Sequence, residues 1–211
     1  MYPFEFKIPA NLPPSTTGAA SRDNFGNIAY VRYYLLLENT QASERDKEIT
    51  RLPIDVFPTV SPMTNLADIV CDEHNRKDLS VNVKMSPGFL MCDAKQLNFE
   101  ITIDNPNKCT VDNIEVQFIQ KCRLRGSDYR EKLGDLKIRA TSNWTRQNYN
   151  GNLSIPLAGK PRTMPPTFSS TMHVVGNNDI IVSYVLKVKV GVTGLRNDIQ
   201  LKIPVFVCNK Q

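Results

Sequence analysis

From Leu79 onward the chain alternates apolar and polar positions in one segment after another. Leu79, Val81, Val83 and Met85 share one parity, and Ser80, Asn82 and Lys84 take the other. Leu97, Phe99, Ile101 and Ile103 alternate with Asn98, Glu100, Thr102 and Asp104, and the run stops at the turn tripeptide Asn105-Pro106-Asn107. A hairpin is expected across that turn. Ile114, Val116, Phe118, Gln120, Cys122 and Leu124 give one face of a long strand, whose other face carries Glu115, Gln117, Lys121, Arg123 and Arg125. Val182, Tyr184, Leu186, Val188 and Val190 repeat the pattern against Ser183, Lys187 and Lys189, and Gly191-Val192-Thr193-Gly194 turns the chain into Ile199, Leu201, Ile203, Val205 and Val207. Successive side chains on a strand point to opposite faces, so each segment has one apolar and one polar face. Two sheets that each bury one face are satisfied by packing together, and the pattern predicts an all-β antiparallel sandwich.

Ahead of Leu79 the pattern is different. Phe4 to Ile8 is a short alternating run closed by Pro9, and Ile28 to Leu37 is aromatic and apolar on both faces. Two-sided apolarity predicts a strand buried in a larger assembly, or one lacking its partners in this chain. Asn39 to Arg51 is polar, and Leu52 to Val56 reads as a short strand. Pro58 to Arg76, rich in Pro, Ser, Asn and charge, reads as a linker. The expected organisation is a partial domain over 1–57, a linker over 58–76 and a complete sandwich over 77–208.

Composition narrows the class. Hydrophobic residues make up 41% and charged residues 22%, mean hydropathy is −0.32, and 14 prolines outnumber 10 glycines, which is ordinary globular composition leaning toward β structure. No run approaches the ~18 apolar residues of a membrane span, and the N-terminus shows no signal-peptide pattern. The cysteines, Cys71, Cys92, Cys109, Cys122 and Cys208, are odd in number and widely spaced, which reads as reduced thiols in a cytoplasmic protein. A net charge of +5 is a mild bias toward anionic partners, and without aromatic residues interleaved among the basic ones it predicts no nucleic-acid binding.

The order of the segments resembles a known family. Tyr2 to Ser15, with Phe4-Glu5-Phe6-Lys7-Ile8-Pro9 at its centre, followed by Gly26 to Tyr34, resembles the closing part of the arrestin N-terminal domain, especially in the arrestin domain-containing proteins (α-arrestins). Asn82 to Leu124 resembles the opening of the arrestin C-terminal domain, with Pro87-Gly88-Phe89-Leu90-Met91-Cys92-Asp93 at the family's glycine-proline turn. Leu153 to Pro156, Met164 to Thr167, Ile181 to Val190 and Leu201 to Val205 follow in the family's order. The resemblance implies an immunoglobulin-like β-sandwich preceded by part of a second one. It also implies a non-catalytic adaptor or scaffold that links membrane receptors or transporters to endocytic and ubiquitin-ligase machinery, in the cytoplasm at the plasma membrane or endosomes. The family's Pro-Pro-x-Tyr ligase-docking motif has no match: Pro13-Pro14 and Pro165-Pro166 both lack the tyrosine and read as loops of the fold. An alternative is a truncated regulatory or structural module without adaptor activity of its own.

Candidate chemistry is sparse. The histidines are His74 and His173, neither in a catalytic context, and no glycine-rich phosphate loop is present. Cys71 and His74 have a Cys-x-x-His spacing with no second pair to complete four ligands. No catalytic, cofactor or metal residues are expected. Trp144 reads as packing rather than a ligand anchor. Lys121, Arg123 and Arg125 on one strand face, with Lys187 and Lys189 on another, are the candidate contacts for an anionic partner, either a phosphorylated tail or a membrane surface. The competing reading is an ordinary solvated sheet face.

Overall fold

A computed structural model of the chain describes residues 33–38, 49–54, 68–75, 77–124, 127–141, 144–157, 164–172, 178–194 and 198–208, together with Lys7, Ser15 and Val56. Among them twelve strands run in the order β1 (Tyr33–Glu38), β2 (Ile49–Ile54), β3 (Ile69–His74), β4 (Ser80–Met85), β5 (Phe89–Met91), β6 (Gln96–Asp104), β7 (Val111–Leu124), β8 (Ser127–Arg139), β9 (Tyr149–Pro156), β10 (Phe168–Met172), β11 (Asn178–Val192) and β12 (Ile199–Cys208). No helix of the described residues is long and apolar enough to cross a membrane.

One sheet has the order β3-β4-β6-β9, antiparallel throughout. The other runs β5-β12-β11-β7-β8, and β10 lies along the Asn178–Val182 end of β11, beyond the stretch that β12 covers. The short β5 pairs with β12 in parallel, an exception to the antiparallel expectation. Alternation turns into burial as the pattern demands. Val81 and Val83 of β4, Ile101 and Ile103 of β6, Val116 and Phe118 of β7, Leu186 and Val188 of β11 and Ile203 of β12 are all buried in one core between the sheets. Each such side chain contributes about 1.5–3 kcal/mol relative to exposure, which is why one apolar face per strand holds the two layers together. Phe118 and Tyr184 stack across β7 and β11 with ring centroids 5.7 Å apart.

Tyr184 is buried, so its hydroxyl needs a partner, and it donates to the carbonyl of Pro165. Met164 N–H donates to the Cys92 carbonyl at 2.9 Å, and Thr167 exchanges bonds with Val207 through its N–H and its hydroxyl, both at 2.9 Å. These bonds stitch residues 164–167 to the sandwich and bury Pro165 and Pro166. That proline pair is therefore wall, as the sequence reading has it. Pro13-Pro14 lies outside the described residues.

The structure departs from the pattern at several places. The hairpin expected across Asn105-Pro106-Asn107 is instead a crossover: β6 pairs with β4 and β9, while β7 begins the other sheet. Asn105, buried, makes the crossing tight, since its side chain donates to the Cys109 carbonyl and accepts from the Cys109 N–H, each at 2.8 Å. Within the stretch read as linker, Ile69–His74 forms the edge strand β3 against β4. Only Ile69 and Cys71 of that strand pack on the core, so its apolar signal was too short to show. Cys71 and His74 alternate to opposite faces of β3 and do not converge on one ligand site.

Of the two-sided run Ile28 to Leu37, the described part is β1, paired with β2 from Tyr33↔Ile54 to Glu38↔Ile49. Tyr34, Leu36 and Leu52 are exposed there. The run Phe4 to Ile8 lies outside the described residues apart from exposed Lys7, as does His173. Ser15 is buried and clamps Val56, donating its N–H to the Val56 carbonyl at 2.7 Å while its hydroxyl accepts the Val56 N–H at 2.8 Å.

Candidate anionic-partner surface

The site is the outer face of the sheet formed by β8, β7, β11 and β12. Alternation sends Gln117, Ile119, Lys121 and Arg123 of β7 outward, opposite to buried Phe118, Gln120 and Cys122. It does the same for Ser183, Val185, Lys187 and Lys189 of β11. Register then decides which outward residues meet. Lys121 stands directly across from Arg130 on β8 and Ser183 on β11. Lys187 stands across from Gln117 on β7 and from Lys202 on β12. Between these rows lies an apolar one, with Ile119 across from Val185, and Val185 across from Pro204. Four residues along β7 separate the two cationic rows, which is about 14 Å.

The sequence-derived contacts divide into two groups. Arg123 is occupied: its Nε donates to Asp128 Oδ1 at 2.7 Å and its Nη2 to Oδ2 at 3.3 Å, a fork that closes the mouth of the β7–β8 hairpin. This bond holds the Asp128 carboxyl below its ordinary range. Lys189 is occupied too, 2.8 Å from Asp198, whose other oxygen accepts the Val192 N–H at 3.1 Å. The Lys189 side chain and then the Val192 N–H hold Asp198 below the usual carboxylate range, and Asp198 in turn raises Lys189. Glu115 is held down in the same way by the hydrogen bond from Lys137. Arg125 lies outside the described residues.

Lys121 and Lys187 differ, because neither forms an ion pair among the described residues. Each instead faces another cation across the ladder, Arg130 and Lys202 respectively. Like charges directly opposed on a sheet are destabilising. Lys121 and Lys187 are half-buried. Lys202 was missed in the sequence reading. Its polar parity in the last strand was visible, but its position opposite Lys187 follows from the register of the β11–β12 hairpin.

The profile described as Arrestin (or S-antigen), C-terminal domain, matches residues 88–211. The chain belongs to the arrestin family. No curated protein matches it. The matched segment opens at Gly88, while the sandwich of this arrestin domain begins in space at β3, so β3 and β4 complete its four-stranded sheet from ahead of the match. Arrestin-family proteins are in general non-catalytic adaptors of trafficking or signalling. All the strands of the six-stranded sheet, with its outward cations, fall within the matched segment. Trp144 tilts against Tyr149 at 4.6 Å and packs on the rim of the core. Among the described residues no group of three metal-ligating side chains converges.

Proposed function

We propose that the chain is a non-catalytic adaptor of the α-arrestin kind, which acts in the cytoplasm at the plasma membrane or endosomes. Its outer sheet face receives an acidic cytosolic region of a membrane receptor or transporter. The observation that carries this reading is the pair of opposed cations, Lys121 with Arg130 and Lys187 with Lys202, flanking the apolar row of Ile119, Val185 and Pro204. An anionic segment laid along the face relieves both repulsions and covers the apolar row, and the wider positive field steers it there. Arg123 and Lys189 serve the fold and contribute only background field. Recruitment of the endocytic and ubiquitin-ligase machinery completes the family's role, by a route other than the buried Pro165-Pro166 pair.

Affinity purification of the full chain from membrane-containing lysate, followed by identification of the captured proteins, tests the reading. Membrane receptors or transporters with acidic cytosolic segments are the expected catch, and none above background overturns it. The second reading, a structural module completed by a partner, rests on exposed Tyr34, Leu36 and Leu52 in the β1–β2 ladder. A monomer in size-exclusion chromatography at all concentrations contradicts that alternative.

A further inference from the structure

The outward residues of β7, β11 and β12 fall into rows because the three strands are in register. Lys121 of β7 lies across from Ser183 of β11. Two residues along, Ile119 lies across from Val185, and Val185 from Pro204 of β12. Two further along, Gln117 lies across from Lys187, and Lys187 from Lys202. A cationic, an apolar and a second cationic row therefore succeed one another at steps of about 7 Å, the rise of two strand residues. The apolar surface also extends beyond its own row. Phe206, two residues past Pro204 and of the same parity, is 46% exposed and stands across from Phe89 of the short edge strand β5. With Pro204 exposed too, and Ile119 and Val185 half-buried, water meets an apolar floor in the middle of the face.

An extended chain has the same rise and period as the strands beneath it, so alternate side chains of a segment laid along β11 fall on successive rows. The rows then specify what those side chains are. A carboxylate over the first row meets Lys121 and Arg130, which oppose each other across the β7–β8 ladder, and one over the third row meets Lys187 and Lys202. The side chain between them comes down on Ile119, Val185 and Pro204, which offer no side-chain hydrogen bond. A polar group there loses water without a partner, whereas an apolar one gains about 25 cal/mol per Å² covered. Arg123 and Lys189 lie beyond the first and third rows and are held by Asp128 and Asp198, so the cations open to a partner end with these three rows.

Building on the adaptor reading, we propose that the face selects an extended segment of the pattern acidic-x-apolar-x-acidic, whose central residue is large. The pattern is symmetric and reads in either chain direction. The test is a titration of the isotope-labelled full chain with synthetic peptides at constant ionic strength, read by amide NMR shifts. The probe is Gly-Ser-Glu-Ser-Phe-Ser-Glu-Ser-Gly, blocked at both ends. Saturable shifts are expected along residues 117–121, 183–187 and 202–206. Replacing its Phe by Ser, or rearranging it to Gly-Glu-Glu-Ser-Ser-Ser-Ser-Phe-Gly, should weaken binding about fivefold or more at unchanged charge. In the protein, Lys187→Gln and Phe206→Ser should each weaken the patterned peptide about threefold, with the remaining amide shifts showing an intact fold. Lys189→Gln, outside the three rows, should alter binding by less than about twofold. Equal binding of the patterned and rearranged peptides, abolished in Lys121→Glu/Lys187→Glu, overturns the spacing and leaves the face an acceptor of acidic segments. No saturable shift with either peptide, or shifts centred on other residues, overturns the pattern and the face together.

Discussion

Gln120 is an apolar position filled by an amide. It is 2% exposed on the inner face of β7, and its Nε2 has no hydrogen-bond partner among the described residues. A buried unpaired donor costs about 1–3 kcal/mol, so Gln120→Met, which keeps the volume, should raise stability by about 1 kcal/mol in urea unfolding. A loss of stability would show that the amide is satisfied in solution. The Lys189–Asp198 pair makes a prediction in pH. Its folded carboxyl sits below the ordinary range, so its contribution is present above that range and is lost as pH falls through it. Asp198→Asn should therefore lower the melting temperature at neutral pH, with the gap to the wild type closing in acid. A gap constant down to low pH would contradict the linkage. At this scale the sequence shows which residues are cationic but not which are occupied, because Arg123 and Lys187 look alike until Asp128 is placed beside one of them.

Among elements, the seam between the sheets depends on β8 approaching β9 closely. Gly134 sits there beside the irregularity at Phe118/Ile119, where a Cβ would meet Ile155 Cγ2 at 2.5 Å and the Pro156 carbonyl oxygen at 2.9 Å. Gly134→Val should cost about 1–3 kcal/mol by forcing the strands apart, read as a lowered urea midpoint, and an unchanged midpoint would mean that β8 yields freely. The parity of β4, β6, β7, β11 and β12 was legible because each buries one face, and parity is a local property. Sheet membership was not. Asn105-Pro106-Asn107 looks like a hairpin turn, yet alternation says nothing about which strand lies alongside, and the buried Asn105 bonds that turn the chain into the other sheet are tertiary. Strand β3 escaped notice for a related reason: an edge strand with two inward apolar residues carries too short a pattern, and its charged Asp72 and Glu73 read as linker.

For the whole molecule, the fold class and the arrestin resemblance were legible in the ordered series of strands, and the family profile over residues 88–211 agrees. The candidate surface was half legible. Lys121 and Lys187 were readable as outward charges, while their opposition to Arg130 and Lys202 exists only once the register is fixed. If that face takes up an anionic partner, binding should weaken as salt rises, because exposed charges act within a Debye length of about 10 Å at 0.1 M. The most direct measurement compares capture of membrane proteins by the full chain and by a Lys121→Glu/Lys187→Glu variant whose melting temperature is checked in parallel. The account predicts that capture is lost while melting is unchanged or higher, since each opposed cation pair, with Arg130 and with Lys202, becomes an attractive pair. Undiminished capture by a folded variant would contradict the claim that this sheet face is where the adaptor meets its cargo.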